Sequence, residues 1–259
     1  MILALVRLPA CVGCLTGCDD GEYWDNVNFN QPIMKVIYYG HSCFSVVAGG
    51  KHLLFDPFIT GNPLAREIDV SRVPADFILI SHGHDDHMLD AIEIARRTGA
   101  MVISNFEIIE WLAKQGLKKM HALNHGGGCD FEFGRAKLVN AVHSSMLPDG
   151  SYGGNPGGFV IETRGGNFYY SGDTALTLDM QLIPMTTRLD FAVLCIGDNF
   201  TMGVDDALRA AEFVKCDQIM GVHYDTFPPI KIDGAVAKSR FNAKGKTLHL
   251  LQPGESCDL

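Results

Sequence analysis

Hydrophobic and polar positions change rhythm several times along the chain. From Met34 onward, KVIYY, CFSVV and HLLF are short runs rich in β-branched and aromatic residues, separated by GHS and AGGK, and they predict a meander with a Gly-Gly turn. ADFILIS then forms a continuous apolar run of strand length, and LDAIEIARRTGA predicts a helix that stops at Gly99. MVIS and NFEIIEWLAKQG repeat the strand–helix alternation, with Gly116 as the stop. β character returns in FEFG, AKLVNAVH, GGFVIET and NFYYSGD. In the last third LDFAVLCIG reads as a buried strand, and VDDALRAAEFVKC sets Ala207, Ala210, Ala211 and Val214 on one helical face. DQIMGVH predicts a strand, DGAVAKSRFNA a helix and TLHLLQPGE a closing strand. No sequence repeat and no long linker intervenes. Two β-rich portions flanked by helices predict an α/β protein whose two sheets pack face to face with helices outside.

Composition narrows the function classes. With 259 residues, 47% of them hydrophobic, the chain can bury a sizeable core. A formal charge of −9 argues against a general phosphate-backbone binder, so no nucleic-acid partner is expected. No apolar run approaches the roughly 18–20 residues of a membrane span. Of eight cysteines, Cys43, Cys129, Cys195, Cys216 and Cys257 are scattered, which suits free thiols in a reducing, cytoplasmic compartment. Cys11, Cys14 and Cys18 cluster near the start, and three readings stand open. A metal or cluster site lacks a fourth ligand nearby. LTGC resembles a lipoprotein attachment sequence at Cys18, although Arg7 and Pro9 interrupt the apolar stretch. The third reading starts the natural protein at Met34. Residues 1–33 are therefore set outside the fold, and 34–259 are expected to form a single domain.

The densest polar stretch is SHGHDDH, between a predicted strand and a predicted helix. In an extended loop His82 and His84 share a face, and Asp86 and His87 turn toward the adjacent space as the helix begins. That arrangement offers two ligands to one metal and two to a neighbour. Imidazole with carboxylate suits Zn, and also Mn or Fe. His143, Asp173 and His223 each follow an apolar run, where a strand would deliver them to one sheet edge. Together they complete two coordination spheres and leave one carboxylate to bridge.

SHGHDDH, VHSS, GDT and MGVHYDTFPP, in this order, resemble the metallo-β-lactamase fold superfamily. With GHSCF, FDPFITGNP, GGFVIET and CIGDNFTMG, the chain looks most like its small UPF0173-type metal-dependent hydrolases, related to ascorbate-6-phosphate lactonase. The resemblance runs from about Met34 to Glu255. It implies a four-layer αβ/βα sandwich with the metal site at one edge of the packed sheets. It assigns His82, His84 and His143 to a first divalent ion, Asp86, His87 and His223 to a second, and Asp173 to the bridge. His41 matches a histidine near the metals that contacts substrate, and Asp56 a structural aspartate beneath the metal loop. Asp85 reads as solvated. Asp198 and His125 depart from the pattern in stretches expected to border the pocket.

The implied mechanism is attack by a hydroxide shared between two metals roughly 3.5–4 Å apart. Asp86 or Asp173 would orient it or move a proton. His41, with backbone amides of HSS or NFT, would steady the oxyanion. β-Lactam hydrolysis is disfavoured, because such enzymes lack the bridging carboxylate, and no flavin domain or large RNA-processing insertion is present. The expected substrate is a small ester-type molecule, a lactone or phosphate ester. A phosphodiesterase or phospholipase-type hydrolase and a non-catalytic metal sensor are the alternatives, and self-assembly into a homo-oligomer is left open.

Overall fold

The computed structural model describes residues 34–259, so the three readings of the cysteine-rich start lie outside the described residues. The first half runs β1 (Lys35–Gly40), β2 (Cys43–Ala48), β3 (Lys51–Phe55), β4 (Phe77–Leu79), α1 (Asp85–Met88), α2 (Ala91–Thr98), β5 (Met101–Asn105), α3 (Phe106–Lys114) and β6 (Met120–Leu123). The second runs β7 (Gly128–Phe131), β8 (Gly134–Asn140), β9 (Gly157–Thr163), β10 (Gly166–Tyr170), β11 (Phe191–Cys195), α4 (Val204–Phe213), β12 (Gln218–Val222), α5 (Gly234–Asn242), β13 (Thr247–His249) and β14 (Ser256–Asp258). Two seven-stranded sheets result, ordered β14-β1-β2-β3-β4-β5-β6 and β13-β12-β11-β10-β9-β8-β7.

Alternation explains the layers. Along β10, Phe168 and Tyr170 point between the sheets while Tyr169 points outward. Phe44, Phe55, Phe159 and Phe168 fill the space between the sheets. The outer face of the first sheet is covered by Ile94, Ile108 and Leu112 of α2 and α3, and that of the second by Ala207, Ala210 and Phe241 of α4 and α5. This is the expected αβ/βα sandwich.

The departures are local. The helix foreseen in LDAIEIARRTGA is α2, which begins at Ala91 and stops at Gly99 as expected, and a separate short helix, α1, begins within SHGHDDH, divided from it at Leu89–Asp90. Asp90 is buried there and its carboxylate accepts from Ile59 N, Thr60 N and Thr60 Oγ1, at 2.6, 2.9 and 2.5 Å, so it anchors a loop. FEFG forms the turn between β7 and β8, and the AKLVNAVH strand ends at Asn140, three residues before His143. The closing strand is SCD, which pairs with β1, and TLHLLQPGE is a strand only to His249. A 3-10 helix, Leu178–Met185, was not foreseen.

Strand direction brings the candidate residues together. In the first sheet β3, β4 and β5 are parallel, and β1, two antiparallel steps from β3, runs with them. In the second, β8 runs with β10, β11 and β12 for the same reason. His41, Asp56, His82, His143, Asp173 and His223 all lie just beyond the C-terminal ends of these strands. One rim of the sandwich therefore collects them.

Candidate metal centre

Two groups of ligand atoms converge on that rim. His82, His84 and His143 form one, and His41, Asp86, His87 and His223 the other, each with its donor atoms within 4.8 Å of one another. His82 Nε2 lies 2.9 Å from His84 Nδ1. Asp173 Oδ2 sits between the groups, 3.0 Å from His223 Nε2, 3.2 Å from His87 Nε2, 3.7 Å from His143 Nε2 and 4.0 Å from His82 Nε2. All seven residues expected from the sequence are thus in one constellation.

The loops that carry them are tightly fixed. Gly172 adopts φ +58, and a Cβ there would stand 2.6 Å from Gly157 O and 2.9 Å from Ser81 Cβ. Only glycine lets the turn before Asp173 press against the SHGHDDH strand end. His143 is tethered to the same turn, since Val142 N donates to Thr174 Oγ1 and Ala175 N to Val142 O. His41 and His223 both have φ 57, and His223 N donates to His41 O at 2.8 Å. Two left-handed non-glycine residues held against each other are the backbone strain typical of a functional site.

Asp56 lies beneath the loop, as anticipated, and is fully buried. Its Oδ1 accepts from Ser81 N at 2.7 Å, and its Oδ2 from Ser81 Oγ (2.6 Å), His87 Nδ1 (2.7 Å) and Tyr170 Oη (2.5 Å). With its lone pairs committed, Asp56 is an orienting group that places the His87 proton on Nδ1 and turns Nε2 toward Asp173.

The electrostatics favour a cation. Burial first, then neighbouring imidazoles, holds His82 well below the free-imidazole range, and burial chiefly lowers His84 and His143. These rings are neutral donors at neutral pH. Burial pushes the Asp173 carboxyl up, but His223 and His87 outweigh it and keep the group ionised. For Asp86 burial is likewise outweighed, by the His41 ring 3.3 Å away and by His87. Burial also opposes charge on His87, yet Asp173 and Asp56 draw a proton to it and raise it. His41 is lowered to about 4, mainly by burial. His41 Nε2, His87 Nε2 and Asp173 Oδ1 are buried without hydrogen-bond partners. The neutral imidazoles of His41, His82, His84 and His143, the ionised Asp86 and Asp173, and a proton on His87 that a cation would displace make a donor set that fits divalent ions.

The sequence left His41 as a substrate contact. Its Nδ1 meets Thr226 Oγ1 at 2.9 Å, and its Nε2 lies 3.3 Å from Asp86 Oδ2, within the second ligand group. Asp85 is exposed, as expected. The NFT amides are not free for an oxyanion, because Phe200 N and Thr201 N donate to Asp198 O and Asn199 N to Asp198 Oδ1. Asp198 itself has φ 62, a conformation in which glycine is more usual, and it shapes the turn that presents Phe200. A cavity of about 240 Å³ above the ligands is lined by His84, Asp86, His143, Ser144, Phe200 and His223 with Asp173. Neither Asp198 nor His125 borders it. His125 Nε2 bonds Pro156 O at 2.8 Å and faces a separate cavity outside the second sheet.

Comparison with known proteins finds relatives that span most of the chain. Residues 35–223 match the Lactamase_B_3 family, a beta-lactamase superfamily domain. A UPF0173 metal-dependent hydrolase of Christiangramia forsetii is 55% identical over 227 residues, covering 87% of this chain and 100% of that protein. A UPF0173 metal-dependent hydrolase of Thermus thermophilus is 45% identical over 223 residues, 86% and 98% of the two chains. Among solved structures, a metallo hydrolase from the archaeon Ignicoccus hospitalis superposes with a TM-score of 0.79 at 34% identity, covering 87% of this chain and 98% of that one.

Proposed function

This chain belongs to the beta-lactamase superfamily as a UPF0173 metal-dependent hydrolase, and we propose that it is a dinuclear enzyme cleaving a small ester-type substrate, a lactone or a phosphate ester. The observation that carries the reading is Asp173 Oδ2, which lies 3.0–4.0 Å from ring nitrogens belonging to both ligand groups. His82, His84 and His143 would hold the first ion, and Asp86, His87 and His223 the second, with Asp173 placed to serve both. His41 joins the second group through its unpartnered Nε2. When bound, two such ions, Zn or else Mn or Fe, supply a water activated toward a pKa of about 7 and a Lewis acid for the acyl oxygen.

The chain's own groups do the rest. Asp86, ionised and 32% exposed at its side chain, faces the cavity and is the base that orients the attacking water and accepts its proton. Asp56 and Ser81 fix the tautomers of His87 and His82, Ser81 Oγ lying 2.9 Å from His82 Nδ1. Phe200, 56% exposed on the cavity wall, offers an apolar surface to the acyl or alcohol part. Among the described residues, those lining the cavity include no Lys or Arg, so any anionic group of a substrate would meet positive charge from the bound ions alone. The five described cysteines are all free, which supports a reducing, cytoplasmic location.

A parallel assay of a γ-lactone, a p-nitrophenyl ester, a phosphate monoester, a phosphodiester and a β-lactam, with Zn and Mn each supplied, tests this. The lactone, ester or phosphate monoester should turn over fastest. Preference for the phosphodiester would overturn the substrate class.

A further inference from the structure

The segment bearing His143 is tethered on both sides by a hydroxyl. Upstream, Val142 N donates to Thr174 Oγ1 at 2.9 Å, which ties the segment to the turn that carries Asp173. Downstream, Ser145 reaches a different part of the rim. Its Oγ accepts from Gly83 N at 3.0 Å and donates to Gly153 O at 2.9 Å. Gly83 is the residue between His82 and His84. One hydroxyl therefore joins the two chain segments that supply the first ligand group, His82 and His84 on one and His143 on the other. The neighbouring Ser144 Oγ lies 3.4 Å from His84 Nε2, too long a contact to hold the segments together alone.

The surroundings fit that hydroxyl closely. A Cβ at Gly153 would stand 2.5 Å from Ser145 Oγ, so a side chain there would displace it. Gly153 is itself held in place, because its N donates to Ser145 O at 3.1 Å and its O accepts from Asn105 Nδ2 at 2.8 Å. Asn105 is the N-cap of α3, its Oδ1 accepting from Ile108 N at 2.9 Å. Hydrogen bonds thus run from the start of α3 through Gly153 and Ser145 to the middle of the SHGHDDH loop. Gly83 is buried, so without Ser145 Oγ its N–H loses its acceptor where water is scarce. The second ligand group is fixed by other contacts, His223 N to His41 O at 2.8 Å and His87 Nδ1 to Asp56 Oδ2 at 2.7 Å.

We propose that Ser145 is a positioning residue for the first ion alone: its hydroxyl sets the spacing between His143 and the His82–His84 pair. A metal site tolerates only about 0.2 Å of error in its ligand distances, so a segment free to drift by more than that holds its ion weakly. This inference rests on the two-ion reading of the site.

The test is to dialyse the metal-loaded full chain against a series of chelator-buffered Zn concentrations and to count bound Zn by elemental analysis. Wild type, Ser145→Ala, His143→Ala and the double variant are compared, with Tm measured for each. Ser145→Ala should bind one of its two ions about 10–100-fold more weakly, the usual effect of removing a group that orients a ligand, and the other as the wild type does. In His143→Ala the first group is already broken, so adding Ser145→Ala should leave the affinity of the remaining ion unchanged. If Ser145→Ala does not fold, Gly153→Ala, which crowds the same hydroxyl, should give the same selective loss. A wild type that holds fewer than two ions overturns the two-ion reading and this inference with it. A wild type holding two, with Ser145→Ala within about twofold of it at both sites, overturns the role of Ser145 alone. Equal weakening of both ions also overturns it, as does a lowered Tm with both affinities kept, since a merely structural residue would behave so.

Discussion

Replacing Asp56 by Asn separates orientation from ligation, because Asp56 touches none of the donor atoms that face the cavity. The side chain keeps its shape, and its remaining oxygen can still accept from Ser81 N, now at 2.7 Å. The other position changes from an acceptor to an NH2 donor, and three donors converge there: Ser81 Oγ, His87 Nδ1 and Tyr170 Oη. The two hydroxyls can rotate and accept. The imidazole cannot, unless its proton moves to Nε2, the atom that must stay free to ligate. One charge-assisted bond is therefore lost, about 1.5–3 kcal/mol, or the ligating tautomer is given up. Either way metal affinity should fall by roughly 10–100-fold, as for other groups that orient a ligating histidine. The assay is competition with a metal chelator, with circular dichroism to confirm the fold. A folded Asp56→Asn protein that binds metal within twofold of the wild type would refute the reasoning.

Three further outcomes are expected. Gly172→Ala puts a methyl group 2.6 Å from Gly157 O at φ +58; strain and overpacking together should cost about 2–4 kcal/mol, read as a lowered Tm, and an unchanged Tm would show that the turn relaxes freely. Phe200→Ala should raise KM for an apolar ester severalfold with little change in kcat, because the ring lines the cavity without touching the ligand atoms; a fall in kcat alone would place it elsewhere in the reaction. EDTA should abolish hydrolysis and lower Tm, with both restored by Zn or Mn; activity that persists in metal-free protein would contradict the metal requirement.

What the sequence revealed follows from how local each signal is. His82, His84, Asp86 and His87 sit within six residues, so strand and helix geometry alone sorts them into two pairs, which fall in the two ligand groups. His143, Asp173 and His223 were legible because each follows an apolar strand, although His143 needs the Thr174 tether to return to the rim. His41 was harder. Its place in the second group depends on a left-handed backbone and on contact with His223 far along the chain, which no spacing encodes. The saturation of Asp56 by donors from β4, α1 and β10 is likewise tertiary. The short edge strands β6, β7 and β14 escaped because MHAL, GCDF and SCD, at three or four residues each, are too brief to show a period. The matching arrangement of the two halves, an antiparallel meander followed by parallel strands, leaves no sequence repeat because the fold constrains strand direction more than residue identity.

Eight side chains, His41 among them and Asp173 between the two groups, are proposed to hold two ions. Elemental analysis of purified chain against protein concentration tests this directly. Close to two transition-metal ions per wild-type chain are expected, and one or fewer in Asp173→Ala, with hydrolysis lost. A wild-type chain that takes up none after Zn or Mn addition, or an Asp173→Ala chain that keeps two and hydrolyses its ester at the wild-type rate, would contradict it.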